Sequence, residues 1–337
     1  MLNAAELKQR ISSSPAFVVD ERQVLANLQA LAALRETTGC KVLYAIKALP
    51  LASLLESIKY RVDGFSVSSL FEAKLAQEVL AGLGSIHLTT PGIRPDEFGE
   101  LVELCSHISF NSLPQYQRLQ GADHGYSPGL RVNPKLSFAA DRRFDPCRPH
   151  SKLGVDIELL RNGLPDGVAG LQFHTVFSCR DLAPLQTTVL ALRPLLERNR
   201  QLQWLNLGGG YLYQDIADLE PLAELIGGLR AEFAIDVYLE PGKAIVAMPD
   251  ICWRRCWTAS SATVRSCWCW ILRSTTIRRY SNTKSGRVCW RKLPRAVSPR
   301  FWPVRPAWPA TYLANTVSTA FRKSAKNWCL PRWALIA

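Results

Sequence analysis

Short apolar runs rich in β-branched residues recur along the first two thirds of the chain, and between them apolar residues fall three and four positions apart. The runs are KVLYAI at 41–46, DGFSV at 63–67, SIHLTT at 85–90, HISFN at 107–111, GLRVN at 129–133, GLQFH at 170–174, WLNL at 204–207 and DVYLE at 236–240. Each has strand length. Segments such as LASLLESIKY, after the first run, and DLAPLQTTVLALRPLLERN, after the sixth, have helical spacing. Strands alternating with helices predict a parallel sheet with crossover connections, and eight such units close a (β/α)8 barrel of the TIM type. AFVVD at 16–20 and a long helix from about Glu21 to Thr38 precede the barrel. The organisation predicted is a leading strand and helix over 1–40, a barrel over 41–246 and a remainder over 247–337. The connection 134–169 is long and carries DRRFDPCRPHSKLG. Long loops on the C-terminal face of a barrel are usually functional.

After Val246 neither period continues, and the composition changes with it. The chain has 337 residues and a formal net charge of +13. Up to Val246 there are 24 Lys and Arg against 27 Asp and Glu, whereas the last 91 residues hold 17 basic groups and one acidic group. Nine of the ten tryptophans and six of the ten cysteines also lie there. The basic residues lack helical spacing or an aromatic platform, which sets aside a nucleic-acid partner. Clusters such as Cys252-Trp253 and Cys267-Trp268-Cys269-Trp270 lack the paired spacing of a zinc site, so no metal is expected. No leader-type apolar segment opens the chain and no stretch reaches the roughly 18 apolar residues of a membrane span, so a cytoplasmic protein with no membrane contact is expected. In a reducing cytosol the cysteines are not a disulfide framework.

Four groups stand at the C-terminal ends of predicted strands, where barrel active sites are built. Lys47 follows the first run in YAIKAL, and partial desolvation there would make its amine a nucleophile fit for a Schiff base. By itself it is more readily an exposed loop lysine. His174 ends the sixth run and could be a satisfied core histidine. Gly208, Gly209 and Gly210 end the seventh, where backbone N–H groups can approach a phosphate, although a lone triple glycine is a weak signal. Glu240, in LEPGKA, ends the eighth and could cap a turn. Convergence of the four on one mouth is much more specific than any one of them.

Together with FVVDERQVLANLQAL, DGFSVSSLFEAKLA, FNSLPQ, RVNPK, DPCRPHSKLG, LQFHTV, WLNLGGG and YLEPGKAIV, these residues make the chain over 15–246 resemble the fold-type III pyridoxal 5′-phosphate enzymes. That group includes alanine racemase and the ornithine, diaminopimelate and arginine decarboxylases. The resemblance is strongest to the branch acting on carboxylated polyamines. It implies that Lys47 forms the Schiff base with the cofactor and that His174 stacks on its ring. It also implies that Gly208, Gly209 and Gly210 hold the phosphate and that Glu240, with Gly242 beside it, pairs with the pyridine nitrogen. A carboxylate at that position favours decarboxylation over racemisation, because it keeps the pyridinium protonated and the electron sink strong. Implied too are a small-molecule polyamine substrate, carboxynorspermidine or carboxyspermidine, and a homodimer. The same family offers diaminopimelate or a basic amino acid as alternative substrates. Two departures concern substrate contacts: Tyr211-Leu212 stands where the resemblance expects His-His, and TVFSCRD brings its carboxylate later than expected.

The resemblance further implies a C-terminal β-domain, and none of its motifs stands after Val246. A one-base displacement of the reading frame at about Val246–Ala247 explains this. Triplets built from the last base of each codon and the first two of the next permit LDSSINHHPPVFEYQ from Cys269 to Lys284, with Leu forced by Cys269-Trp270 and Asp by Trp270-Ile271. They permit LAGPTCLAGDIFGEY from Phe301 and LVFTEVGAY near the end. These strings resemble the missing domain in the right order. On this reading the displacement arises from mutation or from a sequencing error, the basic, Trp-rich remainder is aberrant and the chain as written is inactive; an alternative is a non-catalytic product of a damaged gene.

Overall fold

The computed structural model describes residues 16–119, 125–139 and 141–247, and four short strands beyond them, Ile251–Trp253, Trp268–Leu272, Thr276–Tyr280 and Arg332–Ile336. Two compact units result, one of Glu21–Ala247 and one of Met1–Asp20 with Met248–Ala337.

Glu21–Ala247 opens with helix α1 (Glu21–Thr38), which buries Val24, Leu28, Leu31 and Leu34 at helical spacing. The eight strands expected from the sequence all form: β2 (Lys41–Ala45), β3 (Gly64–Val67), β4 (Ser85–Thr89), β5 (His107–Phe110), β6 (Ser127–Asn133), β8 (Gly170–Gln172), β9 (Trp204–Asn206) and β10 (Asp236–Leu239), while the two-residue β7 (Val155–Asp156) lies beside the end of β6 outside the barrel order. They pair in parallel in that order, and β10 returns to β2 through Tyr238↔Lys41 and Leu239↔Val42, closing the barrel. Helices α2 (Ala52–Ile58), α3 (Leu70–Leu80), α4 (Pro95–Leu104), α5 (Leu113–Leu119), α6 (Ala183–Arg198) and α7 (Glu220–Phe233) lie between strands, and α8 (Lys243–Val246) follows β10. The start of α3 shows why the chain turns there: Ser69 caps the Glu72 amide at 3.2 Å, and the Glu72 carboxylate reaches back to the Ser68 amide at 2.7 Å. Helix α1 is fastened to the end of this unit by Asn27, whose Nδ2 donates to the Ile245 carbonyl at 2.8 Å.

The N-terminal end of the barrel is filled by aromatic rings. Trp204 enters between Gly129 and Gly170, where any side chain would collide with the indole, and its Nε1 donates to Ser127 Oγ at 2.8 Å. His87 and His107 stack beside it at 3.9 Å, with Tyr238 packed on both. Burial, then the charges of His107 and Lys41, hold His87 well below the usual imidazole range; burial, then Lys41, lowers His107 to about 4.

In the second unit β1 (Ala16–Asp20) pairs antiparallel with β11 (Ile251–Trp253) and parallel with β14 (Arg332–Ile336), and β12 (Trp268–Leu272) pairs antiparallel with β13 (Thr276–Tyr280). Most of the segment expected to be aberrant lies outside the described residues.

Candidate active site

Every strand of the barrel ends at the mouth, so residues just past the strands meet there. Lys47 stands on a short 3-10 turn, Ile46–Ala48, directly after β2. It is exposed, not partly desolvated as the sequence suggested, because the turn carries it beyond the end of β2, where Tyr44 is buried, while Ile46 on the same turn packs inward. Gly242 lies against this turn: a methyl placed on it would touch Cβ of Ala48 at 3.0 Å and of Ala45 at 3.2 Å.

His174 lies two residues past β8. Burial first, then the positive charges of Lys47 and Arg131, lowers it to about 3, so the ring is neutral at physiological pH. Its Nδ1 accepts from the Gly209 amide at 3.3 Å. Gly209 and Gly210 run so close to neighbouring strands that a Cβ would come within 2.1 Å of the Glu240 carbonyl oxygen and 2.2 Å of the Val176 carbonyl oxygen. Only glycine permits this close path.

Glu240 is no turn-capping loop carboxylate; it is 6% exposed. Its amide donates to the Gly208 carbonyl at 2.8 Å, and its Oε1 accepts from Asn206 Nδ2 at 2.9 Å. Asn206 Oδ1 in turn accepts from the Gly208 amide at 2.9 Å. The structure thus brings together all the residues singled out from the sequence: Lys47, His174, Gly208, Gly209, Gly210, Glu240 and Gly242.

Three residues of the mouth were not singled out. Arg131, inside β6, is 8% exposed; burial lowers its pKa and the neighbouring Glu240 opposes that shift. Asn206 is 1% exposed at the end of β9. A polar residue inside an apolar run was the available signal for both. Lys243 follows Gly242 and donates to Ser178 Oγ at 2.8 Å, 5.6 Å above the Phe177 ring. The rim is tied down by the long connection after β6: Asn111 Nδ2 and Asn133 Nδ2 donate to the Lys152 and Leu153 carbonyls at 2.7 and 3.0 Å, and the Cys147 thiol lies 3.9 Å from the His174 carbonyl. Of the two departures noted in the sequence, Tyr211-Leu212 is wholly buried. Asp181 accepts from the Ala183 amide at 3.0 Å and so serves the start of α6.

A lysine, a neutral imidazole, a closely packed glycine loop and a buried carboxylate around one barrel mouth define a cofactor-binding barrel, and this donor set fits pyridoxal phosphate. The chain belongs to the pyridoxal-dependent decarboxylases: residues 22–247 match the pyridoxal-binding domain of that family, whose cofactor is pyridoxal phosphate. It is 32% identical over 235 residues to a carboxynorspermidine/carboxyspermidine decarboxylase of Campylobacter jejuni, covering 69% of this chain and 60% of that protein. It is 33% identical over 243 residues to a carboxyaminopropylagmatine decarboxylase of Synechocystis, covering 70% and 62%. The crystal structure of carboxynorspermidine decarboxylase from Campylobacter jejuni, complexed with norspermidine, superposes with a TM-score of 0.61 at 30% identity, covering 70% of this chain and 61% of that one. The chain therefore matches about 60% of the length of these relatives. Among the described residues no helix is long and apolar enough to cross a membrane.

Proposed function

We propose that this barrel serves a decarboxylase of carboxylated polyamines, acting on carboxynorspermidine or carboxyspermidine. The observation that carries the reading is the buried Glu240 carboxylate, joined through Asn206 to the glycine loop at the mouth that also holds Lys47 and His174. Relatives named for such substrates support the choice of substrate. Lys47 would bind the cofactor covalently, Gly208 to Gly210 would hold its phosphate, His174 would pack on its ring, and Glu240, beside Gly242, would hold the pyridine nitrogen protonated. The bound cofactor supplies an electron sink for the pair left on carbon as carbon dioxide departs. A neutral His174 adds no positive charge of its own beside that sink, and the Glu240 carboxylate is kept from water by its burial.

The reading frame is displaced at about Val246–Ala247. The chain as written lacks the activity, and restoring one base at codons 246–247 yields an active, cytoplasmic homodimer. Sequencing the gene across codon 246 tests the displacement directly. The substrate is tested by carbon dioxide release from frame-restored protein offered carboxynorspermidine, carboxyspermidine, carboxyaminopropylagmatine and diaminopimelate. Release from the carboxylated polyamines is expected; release from diaminopimelate alone would overturn the substrate class.

A further inference from the structure

We infer that Asn206 is a positioning residue of this site, one side chain that shapes the glycine loop and fixes how the Glu240 carboxylate is presented. The inference rests on the reading above for what the loop and carboxylate bind; the geometry stands without it.

Asn206 closes β9 two residues after Trp204, and side chains two apart on a strand share a face. Trp204 fills the barrel interior, so Asn206 points inward one layer nearer the mouth. Both halves of its amide are engaged: Oδ1 accepts from the Gly208 amide and Nδ2 donates to Glu240 Oε1, each at 2.9 Å. Its backbone carbonyl accepts from the Phe173 amide at 3.1 Å, which places the strand end carrying His174 in the same network.

The orientation of that amide has no alternative. A backbone N–H can only donate, so the oxygen must face Gly208 and the nitrogen must face Glu240. Oε1 therefore always meets a donor. At the other end, Gly208 has a φ of +69°, a left-handed conformation with its Cβ position 2.1 Å from the Phe173 carbonyl oxygen. The Asn206 oxygen holds the amide of that residue in place. Phosphate-binding loop and carboxylate are thereby set by the same group, and loss of Asn206 disturbs both.

The test uses the full 337-residue chain. Asn206→Leu has similar size and neither donor nor acceptor. Without any cofactor, hydrogen–deuterium exchange across residues 206–210 should be faster in this variant while exchange in α6 and α7 is unchanged. Its affinity for pyridoxal phosphate should fall about 10- to 100-fold, the loss typical of a buried hydrogen bond to a charged group. Asn206→Asp keeps the acceptor toward Gly208 but sets a second carboxylate against Glu240. It should retain slow exchange over 206–210, yet bind the cofactor more weakly at neutral pH, with affinity recovering as the pH is lowered and one carboxyl takes up a proton. A merely space-filling role would not separate the two variants in this way. Wild-type exchange and affinity in Asn206→Leu would overturn the inference, as would fast loop exchange in Asn206→Asp. Should Asn206→Leu fail to fold, the Asp variant decides alone on the same readouts. If the unmutated chain takes up no pyridoxal phosphate, the cofactor reading fails, while the exchange measurements still decide the hold of Asn206 on the loop.

Discussion

The backbone amide of Gly209 donates to Nδ1 of His174 across 3.3 Å, and the contact settles the tautomer of that ring. Because an amide N–H can only donate, Nδ1 is the acceptor and the single proton lies on Nε2. The loop after β9 and the imidazole after β8 behave as one unit. Disturbing either should be felt by the other.

The pH dependence of stability follows with a definite sign. His174 and His107 are lowered to about 3 and about 4 from an ordinary value of 6.5, and His87 is lowered as well, with burial the largest cause for each. The unfolded chain then takes up protons first as the pH falls. Stability from the three neutral rings is complete above about pH 6.5 and is lost progressively as the pH falls toward about 4 and 3. Melting temperatures should fall between pH 7 and pH 5, and the His174 ring resonances should not titrate over that range. A folded-state midpoint near 6.5 for His174 would refute the assignment.

Glycine substitutions should divide by position. Gly209→Ala sets a methyl 2.1 Å from the Glu240 carbonyl oxygen, and Gly210→Ala combines a φ of +96° with an approach of 2.2 Å to the Val176 carbonyl oxygen. Each should destabilise by about 1–3 kcal/mol and weaken uptake of pyridoxal phosphate. Gly227→Ala, on α7 with nothing within 4 Å of the new methyl, should instead stabilise by about 0.5–1 kcal/mol. Denaturation midpoints read all three, and an unaltered Gly209→Ala would mean that the loop yields where the geometry says it cannot.

Glu240→Gln should separate folding from chemistry. The amide oxygen still accepts from Asn206 Nδ2, so the fold should persist, with a melting temperature lowered by the loss of the negative charge beside buried Arg131. A neutral amide cannot hold a pyridine nitrogen protonated, and electrostatic stabilisation of this kind is typically worth about 3 kcal/mol or more, so turnover of frame-restored protein should fall about 100-fold or further. Equal kcat in parent and variant would assign Glu240 another role.

Lys47 makes the sharpest chemical prediction. It is exposed at the mouth and its charge is felt by His174. Incubation with pyridoxal phosphate and reduction by borohydride should label Lys47, as found by peptide mass spectrometry, and Lys47→Ala should lose the visible absorption of the bound cofactor. Label on Lys41, Lys243 or another lysine with Lys47 unmodified would sink the assignment.

The sequence by itself determined the alternation of eight strands with helices and the polar groups at the C-terminal ends of four of them, because both are local properties: a period along the chain, and the point at which an apolar run breaks. Lys47, His174, the glycines and Glu240 were legible on that ground. Which groups meet depends on the assembled fold. Pairing of β10 with β2 closes the barrel and brings residues at opposite ends of the unit to one mouth, and the capture of Asp181 by the start of α6 removes a carboxylate that sequence alone leaves free to face the site. Asn206 and Arg131 were visible only as polar interruptions of buried strands; their partners depend on side chains converging from different strands. Burial likewise belongs to the assembled fold. Lys47 proved exposed and Glu240 buried, although both follow apolar strands, because the first is carried outward on a turn while the second is held inward by Asn206 and the glycine loop.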